Sequence, residues 1–441
     1  MLDKIRNIFQ VPELKRRILF TLALFVVYRL GEHLPTPGVN ARALSGAFAN
    51  SGAAGGLFGL YDLFVGGAFS RATIFALGIM PYISSSIILQ LLGAVVPYFE
   101  KLRKEGEEGQ KKITQWTRYG TVLISIVQSY AYSIFLVNLG ASQGLSVVPQ
   151  PGFAFYFSTI ITQTAGTILV MWLGEKITEY GIGNGISLII FVNILGGVPN
   201  RLMQAIDSVR AGSLGVVQIA VILAIMVAVI AVVIIMTQAT RKIPVQYAKR
   251  MVGRKMYGGQ STHIPLRVNT AGVIPIIFAS SIMILPTTVA GFVPPDHPLA
   301  SLAQWFNPFG VLYNVLYAII IVFFTYFYTA VVLNPNDLAE NMRKYGGFIP
   351  GIRPGRHTAQ YIDKVLSRIT LPGAFFLAAV AVLPDIIIGL FKVRAVGFGG
   401  TSVLIVVGVA LDTLQQVESH LLMRHYEGFV KRGRIRGRSR M

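Results

Sequence analysis

The sequence contains no cysteine, and this absence excludes several kinds of chemistry. Without thiols the chain has no disulfides, no thiolate metal ligands and no cysteine nucleophile. Its six histidines are scattered, and no two stand four residues apart as they would to bind zinc from one face of a helix. The sequence therefore argues against redox and zinc chemistry, and it predicts neither a metal site nor another cofactor.

Charged residues are also scarce, since Asp, Glu, Lys and Arg make up 13% of the 441 residues, whereas hydrophobic residues make up 53%. The mean hydropathy is +0.61. Long apolar runs with few charges recur along the chain, which is typical of an α-helical protein that crosses a membrane several times. The runs predict ten crossings, at about 14–37, 72–96, 117–140, 153–174, 184–200, 214–237, 271–293, 309–333, 369–390 and 400–420.

The charges that are present fall mostly in alternate loops. Lys and Arg concentrate before residue 18, in the loops at 97–118, 239–267 and 343–368, and after Leu421, and the formal net charge is +20. This is the positive-inside pattern, which predicts that both termini are cytoplasmic. The basic leader lacks the apolar stretch and the cleavage site of a signal peptide.

Ionisable residues are nearly absent from the predicted spans, where they usually mark an ion or proton pathway. Asp385 and Asp412 are the main candidates. We interpret both as carboxylates at an interface or between packed helices, with a proton relay as the alternative. The spans contain no Ser–Lys, Ser–His or paired-Asp arrangement of the kind that an intramembrane hydrolase requires. The sequence therefore predicts that the protein is not an enzyme.

Two apolar stretches resemble each other and indicate an internal repeat. GIMPYISSSII at 78–88 aligns with GVIPIIFASSI at 272–282, so that Pro81 matches Pro275. Each stretch falls in the second span of a set of five, and two sets with an odd number of spans have opposite orientations, so the repeat is predicted to be inverted. We expect both helices to bend at their prolines and to face each other. Chance similarity between apolar helices is the alternative.

A short apolar segment precedes the second span. The stretch LFGLYDLFVGG at 57–67 is followed closely by Arg71, so its apolar part is roughly ten residues long, whereas a helical crossing needs about 20. This segment can neither span a bilayer nor remain exposed to water. We therefore expect other parts of the protein to hold it.

The run EKITEYGIGNGISLII at 175–190 is rich in glycine. It is a poor candidate for a nucleotide-binding loop, because no strand precedes it and no Lys-Ser or Lys-Thr follows it. A tight turn between two spans fits better, with Asn184 as the cap of the next helix. This turn would place Ile186 and Ile190 on one helical face inside the bundle.

The loops at 239–267 and 334–368 are longer than a connection between spans requires, and long loops are often functional. Their basic residues alternate with Tyr, Gly and Pro, which suits contact with RNA phosphates or with an acidic protein surface. Contact with anionic lipid is the alternative. The stretch IPGIRPG around Arg353 favours docking, because its prolines and glycines restrict where the arginine points.

Several of these stretches together resemble the SecY/Sec61 family of protein-conducting channels, the bacterial branch in particular, and the resemblance extends over essentially the whole chain. The stretches that carry it are ATIFALGIMPYISSSIILQLL at 72–92, WLGEKITEYGIGNGISLII at 172–190, GQSTHIPLRVNTAGVIPIIFASSI at 259–282, PGIRPGRHTAQYIDKVLSRIT at 350–370 and GGTSVLIVVGVALDT at 399–413.

The resemblance implies an all-α polytopic membrane protein with ten transmembrane helices in two pseudo-symmetric, inverted five-helix halves. The N-terminal half is expected at 1–200, the C-terminal half at 201–420 and a basic cytoplasmic tail at 421–441. A re-entrant half-helix at about 57–67 would serve as a plug, and a lateral gate would lie between helices 2/3 and helices 7/8. The implied function is that of a passive, gated channel for unfolded secretory polypeptides in the bacterial inner membrane, which also releases hydrophobic segments into lipid.

The family's functional positions carry over to specific residues of this chain. The pore ring would consist of Ile83, Ile87, Ile186, Ile190, Ile277 and Ile405. The plug would consist of Leu60, Tyr61, Asp62, Leu63, Phe64, Val65, Gly66 and Gly67, with the two glycines as its hinge and Asp62 facing the outer funnel. The docking residues would be Arg254, Lys255, Arg353 and Arg356.

The implied partners are SecE, SecG, the SecA motor, the ribosome, the lipid bilayer and translocating polypeptides with signal sequences. Energy would come from chain elongation or from the motor. An inverted-repeat transporter of small solutes is the alternative from another class, but it would need a polar or charged site at mid-membrane. An intramembrane enzyme fits least, because the spans lack a nucleophile and a base.

Overall fold

The structure, a computed structural model, describes a chain that divides into two compact units. One unit comprises Met1–Val198 with Val409–Met441, and the other comprises Pro199–Gly408. The described residues are 11–50, 57–144, 146–212, 215–247, 250–252, 255–257, 261–291, 310–391 and 400–432.

Eight helices account for most of the described residues of the first unit. They are α1 (Pro12–Gly31), α2 (Ala41–Asn50), α3 (Leu57–Phe64), α4 (Met80–Val95), α5 (Pro97–Lys104), α6 (Glu107–Gln143), α7 (Phe153–Tyr180) and α8 (Gly185–Arg210). Helix α8 runs on into the second unit. The helix α14 (Gly400–Arg432) begins in the second unit and continues into the first.

Where the structure describes it, the second unit combines helices with five short strands. Its remaining elements are α9 (Val216–Gln238), β1 (Thr240–Tyr247), β2 (Arg250–Val252), β3 (Lys255–Tyr257), β4 (Ser261–Arg267), α10 (Ile274–Gly291), α11 (Val311–Val332), α12 (Pro335–Lys344), β5 (Gly347–Phe348) and α13 (Arg356–Phe391).

Ten helices within the described residues contain 16 residues or more, one for each predicted crossing. In the described part of the chain, six stretches are long and apolar enough to span a membrane, and α4 with α5, bent by 96°, makes a seventh if the pair is one span. The six stretches are Glu107–Gly140, Phe153–Tyr180, Gly185–Gln204, Val311–Lys344, Arg356–Leu383 and Gly400–Leu421. The chain is therefore a multi-pass membrane protein, and the ten-helix prediction agrees with this architecture.

The second predicted span begins later than its hydrophobicity suggested. Residues 65–79 form turns, and α4 starts only at Met80. Gly78 has a φ of +55°, which right-handed helix does not accommodate, and Pro81 then lies in the first turn of α4. The expected bend at this proline was therefore wrong, because a proline in the first turn removes no helical hydrogen bond.

The start of α10 has the same local structure as the start of α4. Gly272 has a φ of +64°, and Pro275 is the second residue of the helix. Two buried serines follow within each helix, Ser84 and Ser85 in α4 and Ser280 and Ser281 in α10. Pro275 therefore begins its helix as Pro81 does, and the expected bend was wrong here too.

Small sheets occupy the long loop at 239–267, and the sequence had not predicted them. β1 pairs antiparallel with β4 along most of its length and with β5 at Gln246 and Tyr247, while β2 and β3 form a separate hairpin. Side chains alternate along β1, so that Ile243 and Val245 are buried while their neighbours are exposed. Short strands in a mostly helical protein are hard to predict from the sequence, because few residues carry their pattern. Here only the brief alternation along β1 indicates a strand.

The turn at Gly181–Asn184 confirms the prediction for the glycine-rich run. The side-chain oxygen of Asn184 accepts hydrogen bonds from the backbone N–H groups of Ile186 (3.1 Å) and Ser187 (3.2 Å), so Asn184 is the N-cap of α8. The N–H of Gly183 donates to Oε1 of Gln416 in α14 at 3.0 Å. The turn thus fixes the start of α8 against other helices of the first unit.

Gly166 permits the closest approach of α7 to the turns that precede α4. A Cβ atom at this position would stand 2.0 Å from the carbonyl oxygen of Ile74. We therefore expect Gly166→Ala to lower the free energy of unfolding by about 1 to 3 kcal/mol through overpacking. Gly93→Ala in α4 is the matched control, because a Cβ atom added at Gly93 would meet no other atom within 4 Å, and helix propensity favours alanine. Thermal unfolding in detergent measures both, and equal midpoints would contradict this packing.

Candidate functional site

Four of the predicted ring isoleucines lie in the first unit, in two pairs one helical turn apart. Ile83 and Ile87 are buried in α4, and Ile190 is buried in α8. Ile186 is half-buried and packs against Gly174 of α7, where an added Cβ would stand 3.1 Å from its Cγ1 atom. Each pair therefore presents branched apolar side chains on one face of its helix.

The other two predicted ring residues lie in the second unit. Ile277 is in the first turn of α10 and Ile405 is in α14, and both are buried. Gly408 of α14 lies against Val273, which directly precedes α10, so closely that a Cβ on Gly408 would stand 2.0 Å from Cγ1 of Val273. Glycine at this position thus lets α14 pack tightly against the start of α10.

The predicted plug is a short helix, α3, followed by a tight turn. Four of its residues are buried, and these are Tyr61, Leu63, Phe64 and Val65. The hydroxyl of Tyr61 donates to the carbonyl oxygen of Leu77 at 3.0 Å, and its ring meets Phe69 edge-on at 5.0 Å. The side chain of Leu60 lies outside the described part of the structure. The first unit therefore encloses this short apolar segment, as its length requires.

The turn after α3 reverses the chain at two glycines. Gly66 and Gly67 have φ values of +70° and +83°, and the N–H of Gly67 donates to the carbonyl oxygen of Asp62 at 2.8 Å. The Asp62 side chain accepts a hydrogen bond from the backbone N–H of Ser70 at 2.9 Å. Burial raises the pKa of the Asp62 carboxyl above its ordinary value, while the Ser70 hydrogen bonds oppose this shift. Asp62 thus has a structural partner in the turn.

Two side chains that the sequence did not single out as functional hold this turn. Asn193 of α8 is 1% exposed, and its Nδ2 atom donates to the carbonyl oxygen of Phe64 at 2.9 Å. Arg71 donates to the carbonyl oxygens of Gly67 (2.8 Å, from Nε) and Gly66 (3.0 Å, from Nη2). The available signal was Asn193 as a lone amide in the apolar run ISLIIFVNILGGV.

The C-terminal end of α1 supports Asn193 from the other side. The hydroxyl of Tyr28 accepts a hydrogen bond from Nδ2 of Asn193 at 2.8 Å, and the Tyr28 ring stacks on Phe75 at 5.5 Å. Arg29 pairs with the fully buried Glu32 and donates to the carbonyl oxygen of Val192 at 2.7 Å. These contacts join α1 and α8 around the plug segment.

Arg353 lies in a loop whose backbone is anchored to a small apolar core. Ile349 is buried in that core and Ile352 packs against it, while the N–H of Ile352 donates to the carbonyl oxygen of Ile349 at 3.1 Å. The hydroxyl of Thr358 donates to the carbonyl oxygen of Arg353 at 2.9 Å. The side chain of Arg353 itself is exposed. The loop therefore presents a guanidinium from a fixed backbone.

The other predicted docking residues are Arg254, Lys255 and Arg356. Arg356 is exposed at the first position of α13. Lys255 begins β3, where it pairs with Val252 of β2. Arg254 lies outside the described residues.

The two acidic candidates from the spans lie in long helices of the described region, Asp385 in α13 and Asp412 in α14. Asp412 is partly buried and engages other groups, which is in keeping with a packing role. The side chain of Asp385 lies outside the described part. Within that part, no group of three or more His, Asp or Glu side chains could hold a metal ion.

These features define a multi-pass α-helical membrane protein with a short apolar helix enclosed in one unit and a basic loop domain in the other. The basic loop domain consists of the described parts of the loops at 239–267 and 334–368. The SecY family model matches residues 73–414. The chain is 47% identical to the protein translocase subunit SecY of Thermus thermophilus over the whole of both chains. It is 45% identical to the Escherichia coli subunit of the same name, covering 97% of this chain and 96% of that one. The chain belongs to the SecY family.

Solved structures share this fold at much lower identity. A chain described as a protein-conducting channel matches with a TM-score of 0.66 at 17% identity, covering 94% of this chain and 96% of that chain. Sec61 from a canine ribosome–channel complex of the endoplasmic reticulum matches with a TM-score of 0.62 at 17% identity and the same coverage. At this level of identity the likeness concerns the fold alone.

Proposed function

We propose that this chain is the pore-forming subunit of a protein translocase in a bacterial inner membrane, with both termini in the cytoplasm. It passes unfolded secretory polypeptides across the membrane and releases hydrophobic segments laterally into lipid. The observation that carries this proposal is the full-length similarity to relatives named protein translocase subunit SecY, at 47% and 45% identity. The positive-inside pattern supports the orientation of the termini.

The six isoleucines are proposed to line the constriction. Branched apolar side chains make a collar that loses its water when it is empty, so that ions do not pass. The same collar offers no charge or hydrogen-bonding group that would hold a passing polypeptide. A transporter of small solutes would need a polar or charged site at mid-membrane, whereas all six positions are isoleucine.

The segment at 57–67 is proposed to be the plug of the closed channel. It is short and apolar, and the first unit encloses Tyr61, Leu63, Phe64 and Val65. A helix of eight residues is too short to cross the bilayer, so it can be displaced without removing a span.

The basic loop domain is proposed to dock the ribosome and the SecA motor, and the chain is proposed to assemble with SecE and SecG. The exposed guanidinium of Arg353 on an anchored backbone suits a bidentate contact with phosphate or carboxylate. Energy then comes from the docked partner, so that the chain acts as a conduit and not as a catalyst.

A photo-crosslinking amino acid at Ile87 tests the polypeptide path directly. A ribosome stalled on a secretory chain is bound to membranes that contain the variant, and the crosslinked products are identified. We expect a crosslink from position 87 to the nascent chain, which is lost when the signal sequence is removed. Crosslinks only to neighbouring helices or lipid, in vesicles that do translocate, would place the path elsewhere and favour a transporter of small solutes.

Deletion of Leu60–Gly66 tests the plug. Because the deleted segment would close the resting pore, we expect the variant to conduct ions at rest when it is reconstituted in planar bilayers. The Gly93→Ala variant is the reference for a change that leaves the plug intact. Equal resting conductance in the two variants would mean that the segment does not seal the pore.

Arg353→Glu tests the docking loop. We expect motor-driven secretion to fall at least tenfold, because the reversed charge repels the partner's acidic or phosphate groups. The matched control is Arg343→Glu, the same change at an exposed position of α12 in the same domain. Both variants are expected to keep the wild-type thermal unfolding midpoint. Wild-type secretion by Arg353→Glu, or an equal loss in both variants, would contradict a specific role for Arg353.

A further inference from the structure

Around the end of the plug helix, the carbonyls of Tyr61, Asp62 and Leu63 accept hydrogen bonds from backbone N–H groups of the turn, while other carbonyls accept from side chains. The last carbonyls of any helix lack partners within the helix, and they need hydrogen-bond donors when they are buried. Here the carbonyls of Phe64, Gly66 and Gly67 receive side-chain donors from residues outside α3. Asn193 and Arg71 supply these three hydrogen bonds, and the hydroxyl of Ser70 also donates to the carbonyl oxygen of Gly67 at 3.3 Å.

Asn193 is a buried residue of α8 that contacts the plug segment. Its Nδ2 atom donates both to Phe64 of the plug and to the hydroxyl of Tyr28 in α1, at 2.9 and 2.8 Å, and the residue is 1% exposed. When the plug leaves, one of these two hydrogen bonds is lost. A buried amide that loses a partner keeps the desolvation cost of that group, so the contact favours the seated plug.

Arg71 also donates hydrogen bonds to the backbone of this turn. Its planar guanidinium reaches two successive carbonyls, of Gly66 and Gly67, in a fork that lysine cannot reproduce. Both glycines are in the left-handed region that side chains disfavour. The arginine therefore stabilises a left-handed backbone conformation that residues other than glycine adopt less readily.

Glu32 and Asn193 pack closely against the turn at Gly66. A Cβ atom on Gly66 would stand 2.8 Å from Oε1 of Glu32 and 3.2 Å from Oδ1 of Asn193. Because Glu32 is fully buried and paired with Arg29, it has little room to withdraw. The polar groups therefore contact the backbone of the turn directly, at the place where the plug helix ends.

We propose that Asn193 and Arg71 form a polar latch on the backbone at Phe64–Gly67, and that this latch sets how readily the plug leaves its seat. The latch rests on the assignment of residues 57–67 as the plug. The latch binds main-chain carbonyls and therefore controls the equilibrium between the seated and the open plug. The apolar side chains of the plug determine how well it seals the pore. Asn193 and Arg71 are thus positioning residues that contact no substrate in the closed state.

The test measures the seating of the plug through a single introduced cysteine. The chain has no cysteine of its own, and Val65 is 1% exposed, so Val65→Cys becomes reactive towards a membrane-impermeant maleimide only when the segment opens. The labelling rate then follows the population of the open state. It is measured in reconstituted vesicles in the absence of any translocating chain.

Asn193→Leu is the main variant, and Gln163→Leu is its matched control. Gln163 is also a fully buried amide of the first unit with two hydrogen bonds, at 2.8 Å each, to Thr36 and Thr73, and neither reaches residues 64–67. Leu173→Cys, in the buried face of α7, reports general loosening of the unit. Arg71→Lys is the second variant, because it keeps the charge while it loses the fork.

We expect Asn193→Leu to raise the labelling rate of Val65→Cys roughly tenfold and Arg71→Lys to raise it by a smaller factor. Gln163→Leu should leave it within about twofold, and labelling at Leu173→Cys should stay slow in all variants. An unchanged rate in Asn193→Leu, or equal increases in Asn193→Leu and Gln163→Leu or at both cysteines, would overturn the latch. Because this rate does not depend on conductance, a failure of the plug deletion to raise ion leak would contradict the plug assignment separately.

Discussion

Backbone carbonyls at the end of a short buried helix need hydrogen-bond donors, and the arrangement of the first unit around α3 depends on this constraint. A helix of eight residues has few internal hydrogen bonds, and neither lipid nor an apolar pore can satisfy its last carbonyls. Backbone N–H groups of the following turn supply donors to Tyr61, Asp62 and Leu63. Asn193 supplies the donor to Phe64, and Arg71 donates to the two glycines beyond the helix. The hydroxyl of Tyr28 in turn accepts a hydrogen bond from Asn193, so that an otherwise apolar bundle contains a compact polar cluster around the proposed plug.

Close backbone approaches make this grip possible. Gly166 lets α7 contact the turns before α4, and Gly66 lets the turn after α3 pack against Glu32 and Asn193 without a side chain between them. In lipid, helices associate through such small residues because no hydrophobic force draws one apolar surface to another. The same residue type therefore permits close packing at two places, at Gly166 in the long helix α7 and at Gly66 after the short helix α3.

The second unit contains the basic loop domain, which presents charged side chains from a fixed backbone. Its loop domain surrounds a small core to which Ile243, Ile349 and Ile352 contribute, and this core fixes the backbone on which Arg353 stands. Docking a large partner requires charge that is presented rigidly, because a mobile side chain loses more entropy on binding. The proposed pore ring requires the opposite chemistry, since any fixed charge there would bind ions or polypeptide. The chain separates the two by placing nearly all of its cations outside the spans.

Local patterns in the sequence were enough for the ten long helices, the turn capped by Asn184, the isolation of the short segment at 57–67 and the family. These features depend on hydrophobic run length, on glycine and asparagine at a turn, and on motifs that are contiguous in the chain. The sequence did not reveal the five strands, the late start of α4 at Met80 or the contact between Asn193 and Phe64. Those depend on which residues meet across 129 positions of the chain and on how closely backbones approach, and only tertiary packing decides both.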